Sequence, residues 1–218
     1  QPIFSRRMSS RLRSSMSMTF IPGRLEDNPA MVRADPEYRT RLLSLPRVER
    51  ERLLGGNWKV RPTAGSVFDR AWFEVVDVAP AVARRVRYWD KAGTEGAGAY
   101  SVGVRVAEVG GVYYVEDVAR GQRSPERRNA VVRQVTTADG PEVAVWFEQE
   151  PGSGGKESAQ ISTRELAGYN VRVETVTGDK VTRAGPLSAQ AEAGNVKLVR
   201  GEWNEAYLSE LHGFPEGK

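Results

Sequence analysis

Two stretches decide the fold of this chain: Val86-Arg87-Tyr88-Trp89-Asp90 and Val143-Ala144-Val145-Trp146-Phe147-Glu148-Gln149-Glu150. Each is an apolar run of strand length, rich in β-branched and aromatic residues, that ends at a carboxylate followed by small or turn-forming residues. The runs predict two buried strands ending at one edge of a sheet. A carboxylate at such a tip is desolvated and favours a cation, so two tips side by side could hold a divalent metal ion. The aromatic residues of both runs are expected in the core: Tyr88, Trp89, Trp146 and Phe147.

The composition limits the chemistry that this chain can perform. Its 218 residues, 39% hydrophobic and 28% charged, suit one sizeable α/β domain with an appendage. The absence of cysteine excludes disulfides, thiolate metal sites and cysteine nucleophiles, and the single histidine, His212, disfavours a Ser-His-Asp triad. No apolar run is long enough to span a bilayer, so we expect a soluble protein without a membrane partner. The side chains that remain for catalysis are carboxylates.

The basic residues are more informative by their placement than by their number. The net charge is +4 and the pI about 9.5, but the basic residues crowd into five stretches, 6–13, 39–52, 84–87, 120–133 and 180–183. Such clusters usually solvate a surface, as we expect for Arg127 and Arg128. Clusters near strand ends can instead contact DNA phosphates. The candidates for DNA contacts are Lys156, Lys180, Arg183, Arg120 and Arg123.

The order of predicted elements indicates an α/β fold. The strand Arg84–Asp90 precedes two more strands, 100–107 and 112–118, which make a three-stranded antiparallel meander. A helix capped by Ser124 leads into the strand that ends at Glu148. The later elements are a helix through 161–166, a strand over 170–176, a helix over 182–193, a short apolar segment at 196–199 and a helix over 202–211. We therefore expect a mixed sheet, a meander plus parallel strands, flanked by helices on both faces.

The first 57 residues form a separate part of the predicted architecture. Residues 1–18 are rich in Ser, Arg and Met and are assigned no fold of their own. Residues 23–29 have the composition of a turn, and caps at Asp35-Pro36 and Pro46 begin the two helices of a hairpin. The apolar side of this hairpin is too small to fold alone, so we expect it to pack on a neighbour. The main domain is expected over 58–218.

The two acids fit a metal site if their strands are neighbours. In a mixed sheet of this order the first and fourth strands can lie side by side and parallel, roughly 4.7 to 4.9 Å apart. That spacing is close to the roughly 3.5 to 4 Å between paired catalytic metals, so Asp90 and Glu148 could bind Mg²⁺ or Mn²⁺ and activate water. Glu150 competes with Glu148, because alternation puts both on one face, although Pro151 limits the strand. We favour Glu148, and Glu150 is then an outer ligand, an alternative ligand or merely an acid of the loop.

The segment Gly152-Ser153-Gly154-Gly155-Lys156 is not a nucleotide phosphate loop. The required glycine five residues before Gly155 is missing, and Glu157 stands where Ser or Thr would bind Mg²⁺, so we predict no ATP site here. Two interpretations stay open. The segment is either a flexible turn whose amides and Lys156 approach a DNA phosphate at a helix amino terminus, or a purely conformational turn.

Five motifs follow one another along the chain: Tyr88-Trp89-Asp90-Lys91-Ala92, Tyr113-Tyr114-Val115-Glu116-Asp117-Val118, the segments 147–156 and 177–184, and Gln190-Ala191-Glu192-Ala193-Gly194-Asn195-Val196. As an ordered set they resemble a known family, the carboxy-terminal nuclease domain of the large terminase subunit of tailed bacteriophages and prophages. The similarity covers most of residues 58–218, and residues 19–29 resemble the exit from that family's ATPase domain.

This resemblance implies an RNase H-like fold and an endonuclease that uses Mg²⁺ or Mn²⁺, with two ions in the complete site, to cut concatemeric double-stranded viral DNA. Asp90 matches the first catalytic carboxylate of the family and Glu148 the second. The expected partners are the portal protein, the small terminase subunit and an upstream ATPase domain of the same polypeptide, in the host bacterial cytoplasm. Residues 1–57 would be the tail of that ATPase domain or a linker.

The third metal-binding acid of the family lies just after a Phe-Pro-x-Gly-Lys segment. Here the sequence ends at Phe214-Pro215-Glu216-Gly217-Lys218. We therefore expect a nuclease domain that is incomplete at its carboxy terminus, weakly active or inactive. Two alternatives remain: another RNase H-like nuclease, such as a resolvase or transposase core, and a non-catalytic module that binds DNA or docks on the portal.

Overall fold

The computed structural model describes residues 23–43, 45–60, 65–91, 100–149 and 153–216. Within these ranges, seven strands form one mixed sheet in the order β1-β7-β4-β3-β2-β5-β6. The strands are β1 (Glu74–Val76), β2 (Arg84–Asp90), β3 (Ser101–Val109), β4 (Val112–Gly121), β5 (Ala144–Gln149), β6 (Val171–Thr175) and β7 (Val196–Val199). The predicted mixed sheet is confirmed. The predicted arm at residues 1–18 lies outside the described residues.

Strand β2 connects the two halves of the sheet. It pairs antiparallel with β3, which pairs antiparallel with β4, so the predicted meander is confirmed. On its other side β2 pairs parallel with β5, and β5 pairs parallel with β6. The residue bounds of β2 are those predicted from its pattern. The two strands that end in the candidate acids are therefore direct neighbours.

The close approach of β2 and β3 depends on a glycine. Gly103 lies opposite Trp89 in the antiparallel register, and a Cβ atom added to Gly103 would stand 2.6 Å from carbons of the Trp89 ring. No methyl group fits at that distance. Glycine at this position lets the indole, only 1% exposed, lie against the neighbouring strand.

Helices cover both faces of the sheet, as predicted. They are α1 (Pro29–Ala34), α2 (Tyr38–Leu43), α3 (Arg47–Leu53), α4 (Pro125–Asp139), α5 (Ser153–Glu165), α6 (Lys180–Glu192) and α7 (Asn204–Gly213). One face, here called the α4 face, buries Trp89, Val145 and Phe147 against Val132 of α4. The opposite α6 face buries a second core that includes Ala191 of α6. In the described ranges, no helix has both the length and the apolarity to cross a membrane.

Two local predictions need correction. Residues 23–29 are not only a turn: a 3-10 turn at Leu25–Asp27 leads into α1, which begins at Pro29. The side chain of Asn28 accepts a hydrogen bond from the Met31 amide at 3.2 Å, which caps the helix. Helix α6 begins at Lys180 rather than Thr182, because the Asp179 side chain caps it, and Pro186 lies within the helix.

The predicted hairpin, α2 and α3, packs on the main domain. Arg50 of α3 donates two hydrogen bonds to the carboxylate of Glu192 in α6, at 2.8 and 3.3 Å. Pro46 lies against Gly185, where an added Cβ would stand 3.1 Å from the proline ring. This contact agrees with the expectation that the hairpin needs a neighbour. The division into 1–57 and 58–218 stays a prediction.

A buried ionic cluster fastens β2 to α4. Arg87, 1% exposed, donates two hydrogen bonds to Asp139, at 2.7 and 2.8 Å, and one to Asp117 at 2.7 Å. Arg105 donates a further bond to Asp139 at 2.8 Å. Burial alone would lower the pKa of Arg87, but its hydrogen bonds to Asp139 and Asp117 outweigh that effect and raise the pKa. The cluster holds the end of α4 against the strand that carries Asp90.

Candidate active site

Asp90 and Glu148 occupy adjacent positions on two paired strands. The parallel register of β2 and β5 matches Trp89 with Phe147, so the next residue of each strand is one of the two acids. Side chains at matched positions of neighbouring strands lie on the same face, here the α6 face. The predicted adjacency of the two strand ends is confirmed. The roles of the two acids in metal binding stay a prediction.

The burial of the strand tips differs from the expectation. Asp90 is exposed, and Glu148 is half-buried with 20% of its side chain exposed. The expected desolvation is therefore wrong for Asp90, because the buried part of β2 ends at Trp89, on the opposite face. The same alternation divides the four aromatic residues. Trp89 and Phe147 are core residues, whereas Tyr88 and Trp146 are only half-buried on the α6 face, contrary to prediction.

A third carboxylate continues the row of acids. The parallel register of β5 and β6 matches Glu148 with Glu174, so Asp90, Glu148 and Glu174 lie across three neighbouring strands. The pKa of the neighbouring Tyr88 is raised to about 12, chiefly by burial. The negative charges of the three acids raise it further, and the positive charge of Arg183 lowers it. Sequence reasoning missed Glu174. Its strand was predicted, but only the register between β5 and β6 places it beside Glu148.

Arg183 and Glu148 form an ion pair. Arg183 Nη1 lies 3.2 Å from Glu148 Oε1, with 36% of the Arg183 side chain exposed. Arg183 stands in the first turn of α6, whose start is fixed by Asp179. The Asp179 carboxylate accepts bonds from the Val181 and Thr182 amides at 3.0 and 2.9 Å and from the Thr182 hydroxyl at 2.6 Å. These bonds, chiefly those from Thr182, lower the pKa of Asp179. A predicted metal ligand and a predicted DNA-binding residue thus contact each other.

The donor set suits a hard divalent cation only in part. Among the described residues, no group of three or more His, Cys, Asp or Glu is arranged to hold a metal ion. Mg²⁺, however, is commonly bound by one or two carboxylates, with waters and substrate phosphates completing its shell. Asp90 and Glu148 provide two such carboxylates on adjacent strands. The residues therefore fit an ion shared between protein and substrate, rather than one enclosed by the protein.

The other predicted DNA contacts lie in different environments. Val102 of β3 is matched with Asp90 on one side and Arg120 on the other, which places Arg120 two strands from the acid, roughly 10 Å away. The Arg120 guanidinium stacks 3.5 Å from the Tyr100 ring centroid and pairs with Glu210 at 3.2 Å. Internal contacts therefore hold Arg120 in place.

Arg123 and Lys180 differ in their freedom to meet DNA. Arg123 folds back over Gly121, where an added Cβ would stand 2.0 Å from its Nη1 atom. Lys180 is exposed at the first position of α6, one turn from Arg183. Arg128 is not a solvating residue as predicted, because it is only 9% exposed. Of these residues, Lys180 is the best placed to contact a phosphate.

The glycine-rich segment belongs mostly to a helix. Helix α5 begins at Ser153, so the predicted turn over 152–155 is helical from its second residue onward. Both interpretations expected a turn here, which is wrong from Ser153 onward, and the contact of a DNA phosphate with the helix amino terminus stays a prediction. Glu150 and the side chain of Lys156 lie outside the described residues, and their predicted roles stay untested.

Lys91 links β2 to α5, a contact that the sequence did not suggest. It follows Asp90 and turns to the opposite face, where Nζ lies 3.0 Å from the Ser158 hydroxyl and 2.7 Å from that of Ser162. The same nitrogen lies 4.8 Å from the Phe147 ring centroid. Burial lowers the pKa of Lys91 to about 8, assisted by Arg128 on α4 and opposed by Glu165 on α5.

The lowered pKa predicts a distinct pH dependence of stability. Below pH 8, folded and unfolded chains both carry the Lys91 proton, and the fold bears the cost of burying the charge. Between pH 8 and the ordinary lysine pKa of 10.5, the unfolded chain holds a proton that the folded chain has lost, so stability rises with pH. We expect the urea midpoint of the wild type to rise, relative to that of Lys91→Met, from about pH 7.5 to about pH 9.5.

The upper limit of about pH 9.5 excludes tyrosine titration from this measurement. Tyr88 and Tyr207 both have pKa values raised to about 12, chiefly by burial, and their contribution to stability falls only above the ordinary tyrosine pKa of 10. The exposed Lys180 provides the control, as Lys180→Met should follow the wild type. Parallel pH profiles of the wild type and Lys91→Met would contradict the prediction.

Comparisons with known proteins provide independent evidence on the fold. A family model described as the terminase RNase H-like domain matches residues 87–218. A search of curated protein sequences gives no significant match.

Solved structures of phage terminases resemble the chain in three dimensions. The large terminase of a thermophilic bacteriophage, solved in complex with ADP, has a TM-score of 0.60 and 12% identity, over 85% of this chain and 46% of that one. The nuclease domain of the P22 large terminase has a TM-score of 0.54 and 11% identity, over 72% and 84%. The large terminase nuclease of the thermophilic phage G20c with bound magnesium has a TM-score of 0.51 and 15% identity, over 69% and 81%. At these identities the likeness supports the fold alone. The chain spans less than half the length of the ADP-bound large terminase.

Proposed function

Because this chain belongs to the terminase RNase H-like domain family, we propose that it cleaves double-stranded viral DNA as the nuclease domain of a phage large terminase, using Mg²⁺ or Mn²⁺. The observation that carries the proposal is the parallel register of β2 and β5, in which Asp90 and Glu148 directly follow the matched residues Trp89 and Phe147. Two acids far apart in the sequence therefore stand at the carboxyl ends of adjacent strands, beside a helix that carries basic residues.

The residues of the site have three roles: some bind the metal ion, one binds a DNA phosphate, and others hold the end of β2 in place. Asp90 and Glu148 would hold a divalent ion, which lowers the pKa of bound water and offsets charge on the scissile phosphate. Lys180, exposed on the first turn of α6, provides a positive charge for the DNA backbone. Arg87 and Lys91 support the acid-bearing end of β2 from the α4 face through Asp139 and α5. The metal-bound G20c nuclease supports the choice of a divalent ion for this fold.

We assign the wider context by the same family membership. The chain would be part of a large terminase whose upstream ATPase domain drives DNA packaging, with the portal protein and the small terminase subunit as partners in the host cytoplasm. The similar large terminase solved in complex with ADP supports an ATPase domain on the same polypeptide. Residues 1–57 would connect the two domains, and Glu150 would be an outer ligand of the ion.

One observation favours a second candidate, a module that binds DNA without cutting it. The carboxylate of Glu148 already pairs with Arg183 at 3.2 Å. Such a module would retain DNA without divalent metal and would not convert supercoiled plasmid to open circles.

Plasmid nicking with two matched variants separates these functions. Glu148→Gln and Glu174→Gln remove equivalent carboxylates from neighbouring positions of β5 and β6. In Mn²⁺ or Mg²⁺ we expect Glu148→Gln to nick supercoiled plasmid roughly 100-fold more slowly than the wild type, because loss of even an outer-shell partner costs about 10- to 100-fold. Glu174→Gln should stay within a few-fold. Nicking that persists in EDTA, or equal losses in both variants, would overturn the assignment of Glu148.

A further inference from the structure

The Glu148 carboxylate, which would bind the divalent ion, already forms an ion pair with Arg183. Arg183 Nη1 lies 3.2 Å from Glu148 Oε1, and the pair is neither deeply buried nor fully exposed, at 36% and 20% of side-chain exposure. The first turn of α6 fixes the base of the arginine, since the Arg183 amide donates to the Asp179 carbonyl at 3.1 Å. The guanidinium itself reaches the sheet across a partly solvated surface and can change partner without unfolding the helix.

Two cations cannot share the Glu148 carboxylate without cost. A divalent ion bound there would stand within a few ångströms of the Arg183 charge, and repulsion at that range is strong in a partly buried setting. A DNA phosphate is a competing partner for Arg183, because guanidinium and phosphate form charge-assisted, often bidentate hydrogen bonds. The position of the Arg183 guanidinium therefore affects the binding of both the divalent ion and DNA.

We propose that Arg183 couples the two binding events. In the free protein it occupies Glu148 and weakens metal binding, and when a backbone phosphate of DNA takes the guanidinium, Glu148 becomes available to the ion. The inference rests on the proposed nuclease function and adds a regulatory property to it: the ion binds tightly only when DNA is present. Thermodynamic linkage requires the converse, that the ion raises DNA affinity by the same factor.

Metal affinity in the absence of DNA gives the first test. Mn²⁺ binding, followed by the electron paramagnetic resonance signal of free Mn²⁺, should be roughly five-fold tighter or more in Arg183→Ala than in the wild type, the low end of typical coupling factors. Arg183→Lys, which keeps the positive charge, should stay near the wild type. Lys180→Ala removes a neighbouring charge from the same turn and should leave Mn²⁺ affinity unchanged. Equal affinities in Arg183→Ala and the wild type would overturn the proposal.

DNA affinity gives the converse test. Fluorescence anisotropy of a short labelled duplex should show tighter binding in Mn²⁺ than in EDTA for the wild type and for Lys180→Ala, although Lys180→Ala binds more weakly in both. In Arg183→Ala the effect of Mn²⁺ should be much smaller. An undiminished Mn²⁺ effect in Arg183→Ala would also overturn the coupling.

Asp90→Asn separates a failure of the coupling from a failure of the nuclease assignment. If Asp90→Asn weakens Mn²⁺ binding but Arg183→Ala does not strengthen it, the metal site stands and the coupling is wrong. If Asp90→Asn leaves Mn²⁺ affinity unchanged, the metal is not held by these acids, and the proposed function and the coupling fail together.

Discussion

Replacing Asp90 with asparagine should abolish DNA cleavage while leaving the fold intact. The carboxylate would be lost from the strand position that lies beside Glu148, and an amide is a much weaker ligand for Mg²⁺ or Mn²⁺. We expect nicking to fall by roughly 1,000-fold or more, the upper range for removing one preorganised electrostatic contact. Steady-state nicking rates in Mn²⁺ would measure the loss.

Stability distinguishes a catalytic from a structural role for Asp90. The side chain is exposed, so the free energy of unfolding should change by no more than about 0.5 kcal/mol, as is usual for surface substitutions. Asp77→Asn is the matched control, since Asp77 is an exposed acid next to β1, at the far edge of the sheet. It should retain full activity. Retained cleavage in Asp90→Asn, or a lower urea midpoint accompanying the loss of cleavage, would count against the catalytic role.

The strand that carries Asp90 was predictable because its signals are local. The run of β-branched and aromatic residues that stops at Asp90 predicts β2, and the order of later elements permits β5 as its parallel neighbour. The order of elements brings the turn before Arg183 to the same end of the sheet as Glu148, but the ion pair between the two side chains was not predictable. It depends on how the first turn of α6 lies against β5, which no local pattern encodes. The position of Glu174 depends in the same way on long-range register.

Burial was the property that sequence reasoning predicted least well. Asp90 was expected to be desolvated and is exposed, because its side chain faces the opposite side of the sheet from Trp89. Arg87 shows that a basic stretch need not be a surface. It belongs to the basic stretch 84–87, and strand alternation turns its side chain into the core beside Trp89. Its partners Asp117 and Asp139 come from β4 and the end of α4, too far along the chain for a local pattern to reveal them.

Arg87→Met should therefore be the most destabilising single change considered for this domain. It would leave Asp139, whose side chain is 3% exposed, without the two hydrogen bonds from Arg87 and dependent on the bond from Arg105. Removing one partner of a buried ion pair costs about 3–5 kcal/mol, because the remaining charge stays desolvated. Arg84→Met, on the same strand but with 82% of its side chain exposed, should cost no more than about 0.5 kcal/mol.

A second substitution tests whether the uncompensated charge causes this loss. Arg87→Met combined with Asp139→Asn removes the stranded carboxylate, so the double variant should be more stable than Arg87→Met alone, a non-additivity that urea unfolding would detect. Since Arg87 lies three residues before Asp90, loosening it should also slow nicking at temperatures where the variant is still folded. A double variant no more stable than the single one would indicate that lost packing, not the buried charge, accounts for the cost.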